Sequence, residues 1–385
     1  MNLPERVVNM EAAREQFGLR ADWLMSYFTR LDPLADAVIE DFESRRGGWK
    51  LLDRALRDGI AAVPEAPEAL QALFAQLDEV PRWVDWDRIE RAGRFFFRTG
   101  PAGGIVLGAK SLCYGYCSPG GNKPLIFTGK LLPQHVARRL AETGRFVVAT
   151  CSPGGLRRDG EGFAATVRVR LMHAKVRRLL LRDPRWDSGR WGEPINQHDM
   201  LGTSLLFSQS FLEGIRQFGF TVTRAEADDY LHLWRYSGYL IGVAPELLPV
   251  TEPDADTFAD LILMTQGAPD ADSRRLIDAL VHFPIDLAKT EAERRAARYR
   301  MAAGYGFCRY LLGDDLADQL DLPRDGWRHL VPACAGLIGR LEPFRRLVPP
   351  VERLYRRSGE SYWDQTVTVG LEGIPAQFAP PMGLA

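Results

Sequence analysis

Apolar residues recur at intervals of three and four along most of the chain, the spacing that places them on one face of a helix. From residue 11 to 45 this periodicity predicts two helices broken near Leu31-Asp32-Pro33, followed by helices over 49–61, 67–77 and 86–98. The Gly- and Pro-rich stretch from Gly100 to Pro124 interrupts the pattern. A helix starts around Pro133 and carries HVARRLAETGRFVVAT, and Pro153-Gly154-Gly155 forms a loop before the next one. Asp199 is placed to cap a helix running to Phe218, with Gly219 as its stop. Thr223 and Glu226 form a capping box for a helix closed by Gly242. Further helices are expected over 254–266, 273–282, 286–312 and 327–340. Strand signals are confined to LIFTG at 125–129 and TVTVGL at 366–371, so the predicted class is all-α.

The helix containing RVRLMHAKVRR, residues 168–178, places one histidine on a largely apolar face. At 100° per residue, Ala165, Val169, Met172, Val176, Leu179 and Leu180 share the side of His173. Arg168, Lys175, Arg178 and Arg182 point the other way, towards solvent. Arg170 and Arg177 sit at the edge of the apolar stripe, within reach of carboxylates lying beside the imidazole. A haem offers that pairing, because its iron takes a neutral imidazole and its two propionates need cationic partners. The plainer alternative is a core histidine bonded to a carbonyl, with both arginines in ordinary ion pairs.

Composition narrows the classes without choosing among them. Within 385 residues there are 49 basic and 50 acidic side chains, a net charge of −1 that provides no global field for nucleic acid or an anionic membrane. Five cysteines, at 113, 117, 151, 308 and 334, form no CxxC pair and argue against a disulfide framework. Cys113 and Cys117, one helical turn apart, read as small buried residues before they read as metal ligands. No CxxCH occurs, which excludes covalent attachment of a c-type haem. Gly-x-Ser-x-Gly, P-loop and dinucleotide fingerprints are absent too, leaving no sequence case for a hydrolase, kinase or nicotinamide enzyme. The N-terminus shows no export signal, and the apolar 99–122 region is broken by Lys110, so a cytoplasmic protein without a membrane span is expected.

Four ordered motifs carry a resemblance. RLAET at 139–143, VRLMHAKVR at 169–177, INQHDMLGTSLLFSQSFLEGIRQFG at 195–219 and YLHLWRYSGYLIGV at 230–243 resemble the oxygenase family that contains latex clearing protein and the MpaB oxygenases, over about residues 85–315. The resemblance implies a globin-like helical core holding a b-type haem, and reaction of O2 with C=C bonds of a hydrophobic unsaturated substrate. Residue by residue, His173 resembles the iron ligand, Arg170 and Arg177 match arginines near the propionates, and Arg139 and Thr143 match a pair on the distal helix. Helical spacing agrees, since positions 135, 139, 142, 143 and 146 share one face.

The departures shape the expectations. Where the family has a lysine directly before the threonine, this chain has Glu142, expected to pair with Arg139 or to carry a proton with a raised pKa. The family's upstream glutamate has no counterpart in GGNKPL, where Lys123 stands near the corresponding position. Without an export signal, an isoprenoid or lipid-like small molecule is a better match than rubber itself. His135 could be a sixth iron ligand, a distal donor or an exposed residue; Arg300 and Arg309 are further candidates for propionate contact. A haem-binding gas or redox sensor without turnover remains an alternative. So does non-haem iron chemistry built on Asp229-x-x-His232 and His198-Asp199, although no Glu-x-x-His motif supports a di-iron bundle. The chain divides into an N-terminal helical extension over 1–84, a haem-binding oxygenase domain over 85–315, and C-terminal helices with a flexible tail over 316–385.

Overall fold

Helix follows helix throughout the computed structural model of the protein, which describes residues 3–129 and 133–370. Among the described residues the only β-type pairing is one isolated bridge between Val7 and Gln266, so the chain is all-α. The first five helices are α1 (Met10–Phe17), α2 (Leu19–Met25), α3 (Pro33–Ser44), α4 (Gly48–Asp58) and α5 (Glu68–Asp78). The break expected at Leu31-Asp32-Pro33 is where α3 begins, with the Asp32 side chain accepting from the Ala35 amide and Pro33 in the first turn, where its missing N–H costs no hydrogen bond.

The stretch from Gly100 to Pro124 interrupts the helices only over residues 117–122, later than its composition suggested. Helix α6 (Trp86–Val106) turns a corner at Gly100, where φ is 49° and ψ −129°, and continues through Pro101. Residues 107–112 widen into a π-helical turn and lead into α7 (Cys113–Tyr116). The predicted strand at 125–129 is instead mostly α8 (Lys123–Phe127). Helices α9 (Pro133–Cys151) and α10 (Glu161–Arg182) then form an antiparallel pair around the predicted glycine loop.

The expected 199–218 helix is two helices after a short α11 (Ser188–Trp191): α12 (Gln197–Phe207) and α13 (Gln209–Gln217). Asn196 provides the cap, its Oδ1 accepting from the Asp199 amide at 2.9 Å, while Asp199 lies in the first turn. The Thr223/Glu226 capping box opens α14 (Arg224–Leu240) as predicted, and Gly242 follows it with φ 91°. Next come α15 (Glu252–Thr265), α16 (Ala271–Asp286), α17 (Glu291–Leu312), α18 (Asp314–Gln319) and α19 (Trp327–Leu347).

The final helix, α20 (Pro349–Gly370), overturns the strand expected at 366–371. Its β-branched residues favour strand only weakly, and tertiary burial wins: Trp363 and Val367, one turn apart, are buried, and Trp363 stacks on Phe96 of α6 at 4.9 Å. A side chain at Gly359 would collide with the Phe97 carbonyl, so the close crossing of α6 and α20 requires glycine there. Leu371 and the tail expected to be flexible from Pro375 lie outside the described residues. No helix among the described residues is long and apolar enough to cross a membrane.

The basic outer face of α10 is not simply solvated. Arg168 pairs with Asp53 of α4, while Lys175, Arg178 and Arg182 converge on Glu43 of α3, each donating at 2.7 Å. Burial pushes the Glu43 carboxyl up, but these three donors outweigh it and hold the pKa at about 2, against an ordinary 4.5. A depressed carboxyl pKa adds stability that is present above about pH 4.5 and lost as pH falls through about 2. Glu43→Gln should therefore destabilise the protein by about 1–2 kcal/mol at pH 7, allowing for solvent screening, and by much less at pH 2. Denaturant titrations at both pH values check this, and an equal loss at the two would remove the assigned role.

Candidate active site

His173 occupies the middle of α10, half-buried, with its Nδ1 buried and lacking a hydrogen-bond partner among the described residues. Burial lowers its pKa to about 4, and the Arg177 charge reinforces this against the opposing pull of Asp32. The ring is consequently neutral through the physiological range, the form that a metal binds. The bland expectation of a core histidine bonded to a carbonyl finds no such bond on Nδ1.

The two flanking arginines have other duties. Arg170 is buried and donates from Nε and Nη2 to the two oxygens of Asp32, at 2.7 and 3.0 Å. Its Nη1 donates to Gln76 Oε1 and the Leu240 carbonyl. Arg177, also buried, pairs with Asp36 and donates to the Ile195 carbonyl at 3.2 Å. Both arginines expected near the propionates are thus engaged by acids unseen from the motif alone, Asp32 at the cap of α3 and Asp36 within it, while Arg177 Nε is buried without a hydrogen-bond partner among the described residues. Together these pairs clamp α10 to the N-terminal helices and fix the direction of the His173 face. Arg309 is likewise committed, to Asp314, Asp318 and the carbonyls of Leu322 and Pro323, and Arg300 is exposed.

Helix α9 lies against α10. Gly162 abuts the Ala149 carbonyl, a contact that only a glycine permits. Counting ten residues back along α9 and ten forward along α10 at equal rise brings Arg139 level with Met172 and His173. Arg139 Nη2 donates to the Tyr116 hydroxyl at 2.6 Å, and its Nη1 is buried with no partner among the described residues. Burial pushes the Tyr116 phenol up despite the opposing Arg139 charge, so it stays protonated. Thr143 is half-buried one turn further along.

Glu142 departs from expectation. Its Oε1 accepts from Arg138 Nε at 3.0 Å, an i,i+4 pair, while the hydroxyl of Tyr116 occupies Arg139. His135 is exposed in the first turn of α9. Lys123 is buried between Asp270 and Asp272 at the start of α16, at 2.6 and 2.5 Å. Two carboxylates thus meet the lysine in space although none stands near it in sequence.

An aromatic group that sequence reasoning assigned no functional role closes the neighbourhood of α9. Phe146 packs on Phe207 of α12 and Trp234 of α14, with ring centroids 6.2 Å apart in both pairs, and Phe207 stacks on Trp234 at 5.1 Å. The buried Tyr230 hydroxyl interacts with the Trp234 side chain, and Thr150 Oγ1 is buried without a hydrogen-bond partner among the described residues. Position 146 on the Arg139 face was the one available signal; Phe207 and Trp234 come from distant helices.

Of the non-haem constellations, Asp229 and His232 are engaged by neighbouring helices, while His198 Nε2 is buried without a hydrogen-bond partner among the described residues. His232 Nε2 accepts from the Asp85 amide at 2.9 Å, and Asp229 is paired with Arg88 and Arg91. His198 stacks on Phe28 at 3.9 Å, and its neighbour Asp199 bonds Arg6 at 2.6 Å. Ser208 and Thr203 back-bond to carbonyls within α12. Cys113 Sγ lies 3.7 Å from Cys308 Sγ, and the Cys308 contact and burial push its pKa up, which keeps it a thiol.

Comparison with known proteins gives this arrangement a context. A family profile described as "ER-bound oxygenase mpaB/B'/Rubber oxygenase, catalytic domain" matches residues 98–348. The rubber oxygenase of Streptomyces sp. (strain K30) is 26% identical over 330 residues, covering 80% of this chain and 75% of that protein. A structure of latex clearing protein in the closed state superposes with a TM-score of 0.68 at 24% identity, covering 86% of this chain and 88% of the other.

Proposed function

The chain belongs to the family of mpaB and rubber oxygenase catalytic domains, and on that footing we propose that it is a b-type haem-dependent oxygenase that uses O2 on a hydrophobic unsaturated substrate, isoprenoid or lipid-like, and cleaves a C=C bond. The observation that carries this reading is a neutral His173 whose Nδ1 is buried without a partner among the described residues, on a helix packed against the one that carries Arg139. Such an imidazole would suit a haem iron, which takes the neutral form of the ring. When bound, the haem supplies the redox chemistry with O2.

The protein's own residues supply the rest. His173 would hold the cofactor, and Asp32 and Asp36, through Arg170 and Arg177, keep its helix α10 in place. Arg139, steadied by Tyr116, would offer Nη1, which has no partner among the described residues, as a donor, and Thr143 would add a hydroxyl one turn further along the same helix. Phe146, Phe207 and Trp234 exclude water and present an apolar wall that suits a hydrocarbon substrate. Glu142 is left out of the distal set because Arg138 engages it.

The absorption spectrum of the purified protein, with a pyridine haemochrome assay, tests the cofactor directly. One non-covalent b-type haem per chain is expected, and a colourless, fully folded protein that takes up no haem on reconstitution would overturn the reading. Arg139→Met and Thr143→Ala should leave haem content near normal and lower substrate-dependent O2 consumption, by about 10²-fold for the loss of the arginine donor. Unchanged O2 consumption in both variants would locate the distal chemistry elsewhere.

A further inference from the structure

Far along the chain from His173, the corner in α6 opens a cavity of about 320 Å³ between α6, α19 and α20. Two of its lining residues, Arg98 and Arg345, are more than nine-tenths buried. Arg345 donates to Glu342 at 2.7 and 2.5 Å and is ion-paired with Glu352. Arg98 is only partly satisfied: its Nη1 donates to Glu226 at 2.5 Å and lies 3.6 Å from Glu352. Its Nε and Nη2 are buried and have no hydrogen-bond partner among the described residues. Those two nitrogens form one edge of the guanidinium, the edge that grips a carboxylate through two parallel bonds.

Besides the two arginines the polar lining residues are Glu342, which Arg345 engages, Thr99 and Ser358; the remainder is apolar or glycine. Phe220, Ile338, Leu341, Leu354 and Tyr355 surround the cavity, and Leu341 and Leu354 are 54% and 65% exposed, which puts them at its mouth. Along α19, Leu337, Leu341 and Phe344 continue the exposed apolar surface at helical spacing. The hairpin of α19 and α20, residues 327–370, holds seven arginines against four acids, while at the cavity Arg98, Arg345 and Arg346 are matched by Glu226, Glu342 and Glu352. Burial lowers the Arg98 pKa, and Arg345 and Arg346 add to this against the opposing pull of Glu226. An arriving anion relieves that cost, since a guanidinium does not give up its proton in a protein.

We propose that this cavity is a binding site for a single-chain carboxylate amphiphile, a medium- or long-chain fatty acid, its carboxylate held by Nε and Nη2 of Arg98 and its chain by Phe220, Ile338, Leu341 and Leu354. The site is separate from the His173 region and does not depend on the oxygenase assignment.

Calorimetric titration of the full chain with decanoate and with decanol tests it. Decanoate should saturate one site and bind about 10- to 100-fold more tightly than decanol, the range for a charge-assisted bidentate contact. Arg98→Met should abolish that preference. Because Arg98 also pairs with Glu226, the exposed mouth variants Leu341→Asp and Leu354→Glu give a second reading that leaves the buried cluster intact, and each should weaken decanoate by about tenfold or more. His173→Ala should bind decanoate as the wild type does. Equal affinity for the acid and the alcohol, absence of saturable binding, unaltered binding in both mouth variants, or loss of binding in His173→Ala would each overturn the proposal.

Discussion

Replacing His173 by alanine is expected to strip the protein of most of its haem, lowering occupancy by about tenfold or more relative to the wild type. The physical basis is that the ring is neutral and its Nδ1 has no partner among the described residues, so the fold invests little in it apart from what it ligates. Helix content and the unfolding midpoint of the apo variant should therefore stay close to those of the wild-type apoprotein, and added imidazole should restore part of the haem spectrum. Acid gives a second readout. Protons compete with iron for the imidazole, and with a pKa of about 4 haem retention should be flat from pH 8 to about 5 and fall as pH moves towards 4. Full haem occupancy with an unchanged spectrum in the alanine variant would assign the ligand to another residue.

The largest stability effect is expected at Arg170. Asp32 and Arg170 are each 4% exposed, so Arg170→Met strands a buried carboxylate and should cost about 3–5 kcal/mol in denaturant unfolding. Adding Asp32→Asn should recover a substantial part, because a neutral amide in that position no longer demands a counter-charge. The double variant also separates the two duties that can be imagined for this arginine. If Arg170 serves α3, as its bonds indicate, the recovered protein should release haem at the wild-type rate; faster release from a protein of restored stability would return Arg170 to the propionates. A loss under 1 kcal/mol in the single variant would mean that the buried pair is not what holds α10 to α3.

Much of this protein was legible in its sequence because the relevant physics is local. The three-to-four periodicity determined an all-α chain, and Thr223 with Glu226 marked the start of α14 through a capping box that uses only residues three apart. His173 was visible as an imidazole on an apolar helical face, and the RLAET and VRLMHAKVR motifs identified the two helices that the fold packs against each other. Tertiary structure alone decided what each charged side chain does. Arg170 and Arg177 find Asp32 and Asp36 more than 130 positions away, and Lys123 finds Asp270 and Asp272 at comparable separation. Glu142 takes Arg138 in preference to Arg139 because Tyr116, on another helix, reaches Arg139 first. The same holds for TVTVGL, whose strand-like composition yields to the burial of Trp363 and Val367 against neighbouring helices. Helical periodicity is encoded within a few residues of any position, whereas an ion pair or a buried face depends on partners brought from anywhere in the chain, and only the folded packing selects them.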